Sequence, residues 1–315
     1  NELGLPLTVF RLRDEDQIAV LEMGISDFGE MARLTKIAKP DTCVITNIGT
    51  CHLENLGDRD GVLKAKTEIF QSMKPNGHIV LNGDDDKLIT VREYNGVKPV
   101  FFGLNSERDV YADQIESKGL KGVACRIHLG EDAFDVLVPT PGIHMVYNAL
   151  AAAAVGRIYG LTIEEIRRGI ESLETIRGRF KMIETDKFLV VDDCYNANPM
   201  SMKASLDVLH DGEGRRVAIL GDMGELGEDE AALHEGVGIH AAICGIDACV
   251  CVGDLAVHIA EAARKANPDF PVYYEKTRES LLEHLNDYVQ KGDTILVKAS
   301  HFMKFEEVVK ALEEM

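Results

Sequence analysis

Glu22 and His52 are the first residues along the chain whose side chains could do chemistry. Glu22 ends the apolar run VLE, and His52 follows the run VITN after a short loop that contains glycine. In open parallel sheets, ligands bind beyond the carboxyl ends of the strands, so residues in these positions can face a ligand. A carboxylate and an imidazole on neighbouring strand ends could together hold a divalent cation. The alternative is that Glu22 caps a helix and that His52 is a hydrogen-bonded loop histidine.

Two more polar residues lie on predicted helices. Lys66 belongs to residues 63–70, where apolar side chains fall at helical spacing, and a solvated surface lysine is its simplest interpretation. Asn148 lies one turn after His144, near the start of an alanine-rich helix. Its amide could pair with the edge of a purine, or it could pack between helices.

Residues 192–199 (DDCYNANP) form the most informative run of the sequence. A strand delivers adjacent carboxylates into a polar turn, and Asn198 is predicted to cap a helix whose first residue is Pro199. Proline is suited to that position because its missing N–H would have no partner there. Capping leaves three polar residues of the run unexplained: Asp193, Tyr195 and Asn196.

Three further segments have residues suited to anions or to close backbone approach. Arg177 and Arg179 lie in a predicted linker, where a guanidinium could clamp a phosphate, although two linker arginines could also be surface charge. The glycine-rich residues 221–227 (GDMGELG) could bring backbone close to a ligand or could form only a tight turn. His301 and Lys304 follow the last predicted strand and could bind a carboxylate or remain solvated.

The elements that must position these residues alternate between short apolar and longer amphipathic segments, a pattern typical of parallel strands buried between helices. We predict strands at residues 18–23, 43–47, 78–82 and 99–102, an antiparallel hairpin region at 124–128 and 134–138, and helices at 145–159 and 163–173. The alternation then restarts, with strands at 188–192, 217–220, 248–252 and 294–298 and helices at 199–210, 228–244, 255–265, 279–289 and 305–314. The chain is therefore predicted to form two α/β domains, residues 1–175 and 176–315, the second of the dinucleotide-binding type.

Composition narrows the partners and the compartment. With 53 acidic and 34 basic residues, the chain has a net charge of −19, which argues against binding to nucleic acid or to an anionic membrane surface. No apolar run approaches the ~20 residues that span a bilayer, so we expect no membrane insertion. The seven cysteines include no CxxC pair, so a reducing cytosol is the simplest location.

Eight segments, in this order and over essentially the whole chain, resemble the Mur ligases, which are ATP-dependent amide ligases of cell-wall precursor synthesis. They are residues 1–8 (NELGLPLT), 21–24 (LEMG), 46–57 (TNIGTCHLENLG), 64–70 (KAKTEIF), 148–152 (NALAA), 177–180 (RGRF), 192–199 (DDCYNANP) and 220–227 (LGDMGELG). The last two segments are most similar to the member that adds D-alanyl-D-alanine to UDP-N-acetylmuramoyl-tripeptide. The resemblance implies activation of a carboxylate by ATP to an acyl phosphate, followed by attack of an amine.

The resemblance also implies roles for single residues. Glu22 and His52 look like Mg²⁺ ligands, and Lys66 looks like the family's carbamylated lysine, whose carbamate helps to place a second Mg²⁺. Asn148 is similar to the asparagine that contacts adenine, Arg179 to the arginine that reaches the γ-phosphate, and Asp193 to the aspartate that holds the ribose. Less certain matches near the nucleotide and the incoming dipeptide are Tyr195, Asn196 and Asn198, and His301 lies where the family often has arginine.

One departure from the family is large. The sequence contains no G-x-x-G-K-[ST] phosphate loop, whose backbone N–H groups and lysine would cradle phosphates. Nor does it contain the preceding domain that grips the uridine nucleotide. We therefore expect an incomplete central ATP-binding domain followed by a Rossmann-like ligase domain, a monomer that does not turn over alone. The alternatives are another Mur-type amino-acid ligase, or a Mur-like module that only binds.

Overall fold

The computed structural model describes residues 1–50 and 52–315 and has the predicted α/β class. The chain divides into two compact units. Unit 1 comprises Asn1–Ile115, Ala124–Val136 and Val146–Glu171, and unit 2 comprises Glu116–Val123, Leu137–Met145 and Ser172–Met315. Two short segments before Ser172 thus belong to unit 2, and the domain boundary after residue 175 stays a prediction.

The first sheet has six strands in sequential order. They are β1 (Thr42–Ile45), β2 (His78–Asn82), β3 (Val100–Gly103), β4 (Val110–Ser117), β5 (Val123–Leu129) and β6 (Asp132–Val138). Strands β1 to β4 are parallel, with Val44 opposite Val80 and Val80 opposite Val100. Residues of β1 and β2 are largely buried, as expected for parallel strands covered by helices.

The helices that accompany this sheet are α1 (Gly4–Val9), α2 (Glu30–Ala38), α3 (Leu53–Leu56), α4 (Arg59–Thr67), α5 (Ile143–Ile158) and α6 (Ile163–Glu171). The predicted capping box at the start of α6 is confirmed. The Thr162 N–H donates to the Glu165 carboxylate at 2.8 Å, and the Glu165 N–H donates back to the Thr162 hydroxyl at 3.3 Å. Helix α5 buries most of its alanines, which lets neighbouring elements approach closely.

The second sheet also has six strands, and their spatial order is β11–β10–β9–β12–β8–β7. They are β7 (Lys181–Glu184), β8 (Leu189–Asp192), β9 (Arg216–Gly221), β10 (Ala248–Val252), β11 (Val272–Glu275) and β12 (Thr294–Lys298). All neighbours are parallel except β7, which is antiparallel to β8. Strands β10 and β12 are buried at every residue, so the core of unit 2 lies on both faces of this sheet.

Helices cover both faces of the second sheet: α7 (Pro199–His210), α8 (Glu230–Ile243), α9 (Ala256–Ala266), α10 (Arg278–Tyr288) and α11 (Glu306–Glu314). A buried carboxylate fastens α10 to the edge strand β11. Glu275, 9% exposed, accepts hydrogen bonds from the Ser280 hydroxyl, from Nδ1 of His284 at 2.8 Å and from the Tyr288 hydroxyl at 2.5 Å.

The prediction of a strand at residues 18–23 is wrong. No regular secondary structure occurs there, and Ile18 and Val20 are 61% and 93% exposed. A strand is stable only when a neighbour takes up its backbone hydrogen bonds, and β1 pairs with β2 alone. The hairpin region holds three strands, β4 to β6, rather than two.

Two further expectations concern membranes and cysteines. None of the described helices is long and apolar enough to cross a membrane. The six described cysteines are free thiols, whereas Cys51 lies outside the described residues.

Candidate functional site

The candidate site of unit 2 lies beyond the carboxyl ends of three adjacent strands. Strand β12 lies between β8 and β9, so the segments that follow these strands meet at one edge of the sheet. Ser300 joins them: its hydroxyl accepts a hydrogen bond from the Gly224 N–H at 2.9 Å and donates to the Ala197 carbonyl at 3.4 Å. Its own N–H donates to the Asp222 carbonyl at 3.0 Å. The loops are therefore fixed to one another.

A buried ion pair lies beneath these loops. Nζ of Lys298, the last residue of β12, lies 2.6 Å from Oδ2 of Asp193 and donates to the Asn196 carbonyl at 3.1 Å. The Lys298 side chain is 3% exposed and that of Asp193 is 14% exposed. Ser205 also donates to Oδ2 of Asp193, at 2.7 Å, and the Phe180 N–H donates to Oδ1 at 3.2 Å. Three donors from different parts of the chain therefore fix the position of the Asp193 carboxylate.

The preceding aspartate has a structural task. Asp192, 3% exposed, accepts hydrogen bonds from the Gly178 N–H at 2.9 Å and from the Cys194 thiol at 3.0 Å. Gly178 has φ +76°, and a Cβ there would lie 3.0 Å from Cβ of Tyr195. Desolvation and the bond to Asp192 raise the pKa of Cys194, so this thiol stays protonated. Asp192 thus ties the segment that contains the arginines to the end of β8.

Three of the predicted residues lie against one another in a group that we call the stack, although its two aromatic rings are tilted by 33°. The Arg179 guanidinium lies 4.0 Å from the centroid of the Tyr195 ring, and that ring lies 5.7 Å from the His301 ring. Arg179 and His301 are exposed, and Tyr195 is 49% exposed. An aromatic face attracts a guanidinium and limits the directions in which it can point. The stack therefore presents a cation at the surface, as binding of an anionic group requires.

The remaining predictions for unit 2 have mixed outcomes in the structure. Asn198 is the N-cap of α7, as predicted: its side chain accepts from the Ser201 N–H at 2.9 Å, and Pro199 occupies the first turn. Asn196 and Lys304 are exposed, in the segments that follow β8 and β12. Burial lowers the pKa of His144, which interacts electrostatically with Asp193 and Lys298, so its ring adds no charge there at neutral pH.

In unit 1, Lys66 lies in the last turn of α4 and is only half-buried, so it is not a fully solvated surface lysine. Its Nζ donates to the Asn47 carbonyl at 2.9 Å, at the end of the segment that follows β1. His52 has φ +58° and precedes α3, and Glu22 is exposed in an irregular segment. In the part of the chain that the structure describes, no three side chains of His, Cys, Asp or Glu lie close enough together to hold a metal ion. The magnesium ligands therefore stay a prediction.

A cavity of about 230 Å³ lies beside His52. Glu2, Glu30 and Ser26 are among its other lining residues. Glu30 accepts from the Ser26 N–H at 2.5 Å, and Glu2 pairs with Arg33. Both carboxylates are thus engaged by the protein itself. Asn148 is exposed on α5, as contact with a base requires.

Lys298 and Ser300 are the site residues that the sequence analysis missed. Both lie in the run KASHFMK, in which only His301 and Lys304 were singled out. A lysine at the end of an otherwise apolar strand was the available signal, because buried lysine occurs almost only when it is paired. Its partner, 105 residues away, cannot be read from the sequence.

Comparison with known proteins identifies both domains of the chain. The sequence matches the Mur ligase middle domain over residues 1–156 and the Mur ligase, glutamate ligase domain over residues 178–301. UDP-N-acetylmuramoyl-tripeptide--D-alanyl-D-alanine ligase of Bacillus subtilis (strain 168) is 37% identical over an alignment of 317 positions that covers 100% of this chain and 68% of that protein. The ligase of the same name from Escherichia coli (strain K12) is 35% identical, with coverage of 100% and 69%.

Solved structures give the same result. A crystal structure of MurF from Acinetobacter baumannii has a TM-score of 0.90 at 33% identity, covering 100% of this chain and 69% of that one. MurF ligase from Thermotoga maritima in complex with ADP has a TM-score of 0.85 at 29% identity, covering 99% and 70%. Since both of its domains match in order and its relatives align along its whole length, this chain belongs to the Mur ligase family.

Proposed function

We propose that this chain provides active-site residues of an ATP-dependent ligase that joins D-alanyl-D-alanine to UDP-N-acetylmuramoyl-tripeptide. The observation that supports this most directly is the stack of Arg179, Tyr195 and His301 above the ion pair of Lys298 and Asp193. It places a surface cation beside a fixed carboxylate at the end of a parallel sheet, where nucleotides bind in folds of this class. The relatives named for this reaction align over the whole chain.

In this proposal residues of the loop after β8 and of its neighbouring segments bind the nucleotide. Arg179 binds the γ-phosphate, since a guanidinium suits phosphate geometry and Tyr195 limits its direction. Asp193, held by Lys298 and Ser205, presents a carboxylate to the ribose. Tyr195 and Asn196 line the same loop, and Asn148 of unit 1 contacts adenine.

Glu22, His52 and Lys66 would hold Mg²⁺, with Lys66 modified to a carbamate. The oxygens of the Glu22 carboxylate and of a Lys66 carbamate are the hard ligands that Mg²⁺ prefers, and His52 would add one nitrogen donor. Lys66 is already anchored at the Asn47 carbonyl, which places its amino group at the carboxyl end of β1. When bound, Mg²⁺ and ATP supply charge neutralisation and the phosphoryl group that activates the tripeptide carboxylate.

The dipeptide carboxylate binds at His301 and Lys304, both exposed beyond β12. Asn198 contributes to dipeptide binding indirectly, because it caps the start of α7 and so fixes the loop that precedes this helix. We further propose that the protein acts as a cytoplasmic monomer. Because the chain as a whole has a net charge of −19, the attraction for an anionic substrate must come from local cationic side chains such as Lys304.

Phosphate release tests the proposal. The protein is expressed from its complete reading frame and given ATP, Mg²⁺, UDP-muramoyl-tripeptide and D-alanyl-D-alanine, with the tripeptide and the dipeptide omitted in turn. We expect release that requires both the tripeptide and the dipeptide, and loss of at least ~100-fold in Lys66→Ala, because that change removes a group that positions charge in the transition state. The 315-residue chain, which lacks a phosphate loop, should release none.

Other outcomes favour other functions. Release with a single amino acid in place of the dipeptide would indicate another Mur-type ligase. Nucleotide binding without release under any condition would leave a binding module. Carbon-13 NMR after addition of labelled bicarbonate checks the carbamate directly, because a signal present in the parent protein should be absent from Lys66→Arg.

A further inference from the structure

The three consecutive aspartates after β2 have separate tasks. Oδ2 of Asp85 accepts from the Ile48 N–H at 2.8 Å, which fixes the segment after β1. Asp86 forms a two-pronged ion pair with Arg59, at 3.0 and 2.5 Å, and its side chain is 64% exposed. Asp84 contacts α5 instead. Asp84 is therefore the aspartate of this run that contacts the helix that carries Asn148.

Asp84 is a partly buried acceptor with three donors. Its Oδ2 accepts from the Leu104 N–H at 2.5 Å and from the Tyr147 hydroxyl at 3.1 Å, and Oδ1 accepts from Nε of Arg108 at 3.0 Å. Burial opposes its ionisation, but these hydrogen bonds outweigh burial and hold its pKa below the usual range. Desolvation and the Asp84 charge raise the pKa of Tyr147 to about 12, so that hydroxyl remains a donor.

Two glycines leave room for this arrangement. A Cβ on Gly103 would lie 2.5 Å from Oδ2 of Asp84, and a Cβ on Gly83 would lie 2.5 Å from Cδ of Arg108. The side chains of Asp84 and Arg108 are 20% and 18% exposed. The ion pair is thus built into the ends of β2 and β3.

On its other side, Asp84 connects to the segment that anchors Lys66. The Asp84 N–H donates to Oδ1 of Asn82 at 2.9 Å, and Nδ2 of Asn82 donates to the Thr46 carbonyl at 3.0 Å. The next carbonyl, that of Asn47, accepts from Lys66. Hydrogen bonds, together with the peptide link between Thr46 and Asn47, therefore connect Lys66 to Tyr147, the residue before Asn148.

We propose that Asp84 is a positioning residue that fixes Asn148 through Tyr147 and thereby sets selectivity for adenine. The inference rests on the proposed function, in which Asn148 contacts the base. Tyr147 and Asn148 are consecutive residues of α5, so the hydrogen bond of the Tyr147 hydroxyl fixes the rotation of this helix turn and with it the direction in which the Cα–Cβ bond of Asn148 points. An amide offers one donor and one acceptor, and it distinguishes the 6-amino group of adenine from the 6-oxo group of hypoxanthine only when its direction is fixed.

The test compares adenine with hypoxanthine nucleotides. In Tyr147→Phe and Asp84→Asn we expect KM for ATP to rise about 5-fold or more, as loss of one oriented hydrogen bond implies. The ratio of kcat/KM for ATP over ITP should fall by a similar factor, while KM for the dipeptide stays unchanged. Asp86→Asn, the same change in the exposed ion pair two residues away, is the matched control and should leave the ratio unaltered.

Binding keeps this test separate from ligation. Calorimetry with ADP and IDP requires no turnover, so base selectivity is measured even if no ligase activity is found. An unchanged ATP to ITP and ADP to IDP preference in Tyr147→Phe overturns the proposal, as does a parent protein that prefers neither base. If Asp84→Asn fails to fold, Tyr147→Phe alone decides, because it removes one hydroxyl and preserves the ring.

Discussion

Lys298 and Asp193 form a buried ion pair, 2.6 Å between Nζ and Oδ2, that joins the central strand β12 to the loop after β8. The pair is completed by the Ser205 hydroxyl and the Asn196 carbonyl, so each charge has a second hydrogen-bonding partner. Buried charges persist only when their partners are placed in this way. The shape of the loop that presents Tyr195 and Asn196 thus depends on a lysine more than a hundred residues away.

Removal of the lysine charge should destabilise the protein strongly. Lys298→Met leaves the Asp193 carboxylate buried without its cation, and we expect the free energy of unfolding to fall by about 3 kcal/mol. Urea denaturation measures this loss. Lys298→Met combined with Asp193→Asn should recover most of it, since neither charge remains. A double variant as unstable as the single one would contradict this account, and Lys304→Met, at an exposed lysine of the same segment, is the control.

The stack of Arg179 on Tyr195 predicts a split between two substitutions. Tyr195→Phe keeps an aromatic face under the guanidinium, whereas Tyr195→Leu removes it. At a half-exposed site, loss of a cation–π contact costs about 0.5–1 kcal/mol, so KM for ATP should rise about two- to five-fold in Tyr195→Leu only. Phosphate-release kinetics measure both values, and equal effects in the two variants would show that the hydroxyl matters instead.

Asn198 separates a structural role from a binding role. Asn198→Ala removes the cap of α7 and should lower the free energy of unfolding by about 1 kcal/mol, whereas Asn198→Ser keeps a capping oxygen and most of the stability. We expect KM for D-alanyl-D-alanine to be unchanged in Asn198→Ser. A raised KM with normal stability would instead establish direct contact between this amide and the dipeptide.

Stability should depend on pH through Glu275 and His284. Hydrogen bonding to Glu275 raises the pKa of His284 above 6.5, so its contribution is complete below that value and is lost as pH rises through the raised pKa. Burial of Glu275 is outweighed by the hydrogen bonds from Ser280, Tyr288 and His284, which lower its pKa below 4.5. Its contribution is complete above pH 4.5 and is lost as pH falls through the lowered pKa.

Denaturant midpoints measured between pH 5 and 8 test this linkage. The difference between the parent protein and His284→Gln should be largest near pH 5–6 and should shrink toward pH 8. Ser280→Ala removes a donor that does not titrate in this range, so its effect should be nearly constant. A constant difference for His284→Gln as well would exclude the ion pair as its cause.

Buried strands and capped helices were predictable because their signals are local. The alternation of apolar runs with amphipathic segments located β8, β9, β10 and β12, and the Asn198–Pro199 pair located the start of α7. The edge strands β7 and β11 were not predicted, since both are short and only partly buried. Residues 18–23 show the converse, because an apolar run does not reveal whether a neighbouring strand is present.

For the site, the residue types in the sequence indicated which side chains take part, but they did not indicate which of these side chains contact one another. Arg179, Tyr195 and His301 were singled out separately, as ligands of different groups, and the structure stacks them. The resemblance to a family identified Lys66, whereas spacing alone favoured a wet helix face. The tasks of Lys298 and Asp84 depend on contacts between residues distant in sequence, which no local pattern encodes.

The position of β12 has a consequence for biosynthesis. It is the last strand of its sheet along the chain, yet it pairs with β8 on one side and β9 on the other. About a hundred residues separate the end of β8 from β12, which take on the order of ten seconds to synthesise at ~5–20 residues per second. During that time the facing edges of β8 and β9 have no partner in a nascent chain, and unpaired edges promote aggregation. Unit 2 can therefore complete its sheet only after residue 298 has left the ribosome, so we expect chaperones to engage the chain during this interval.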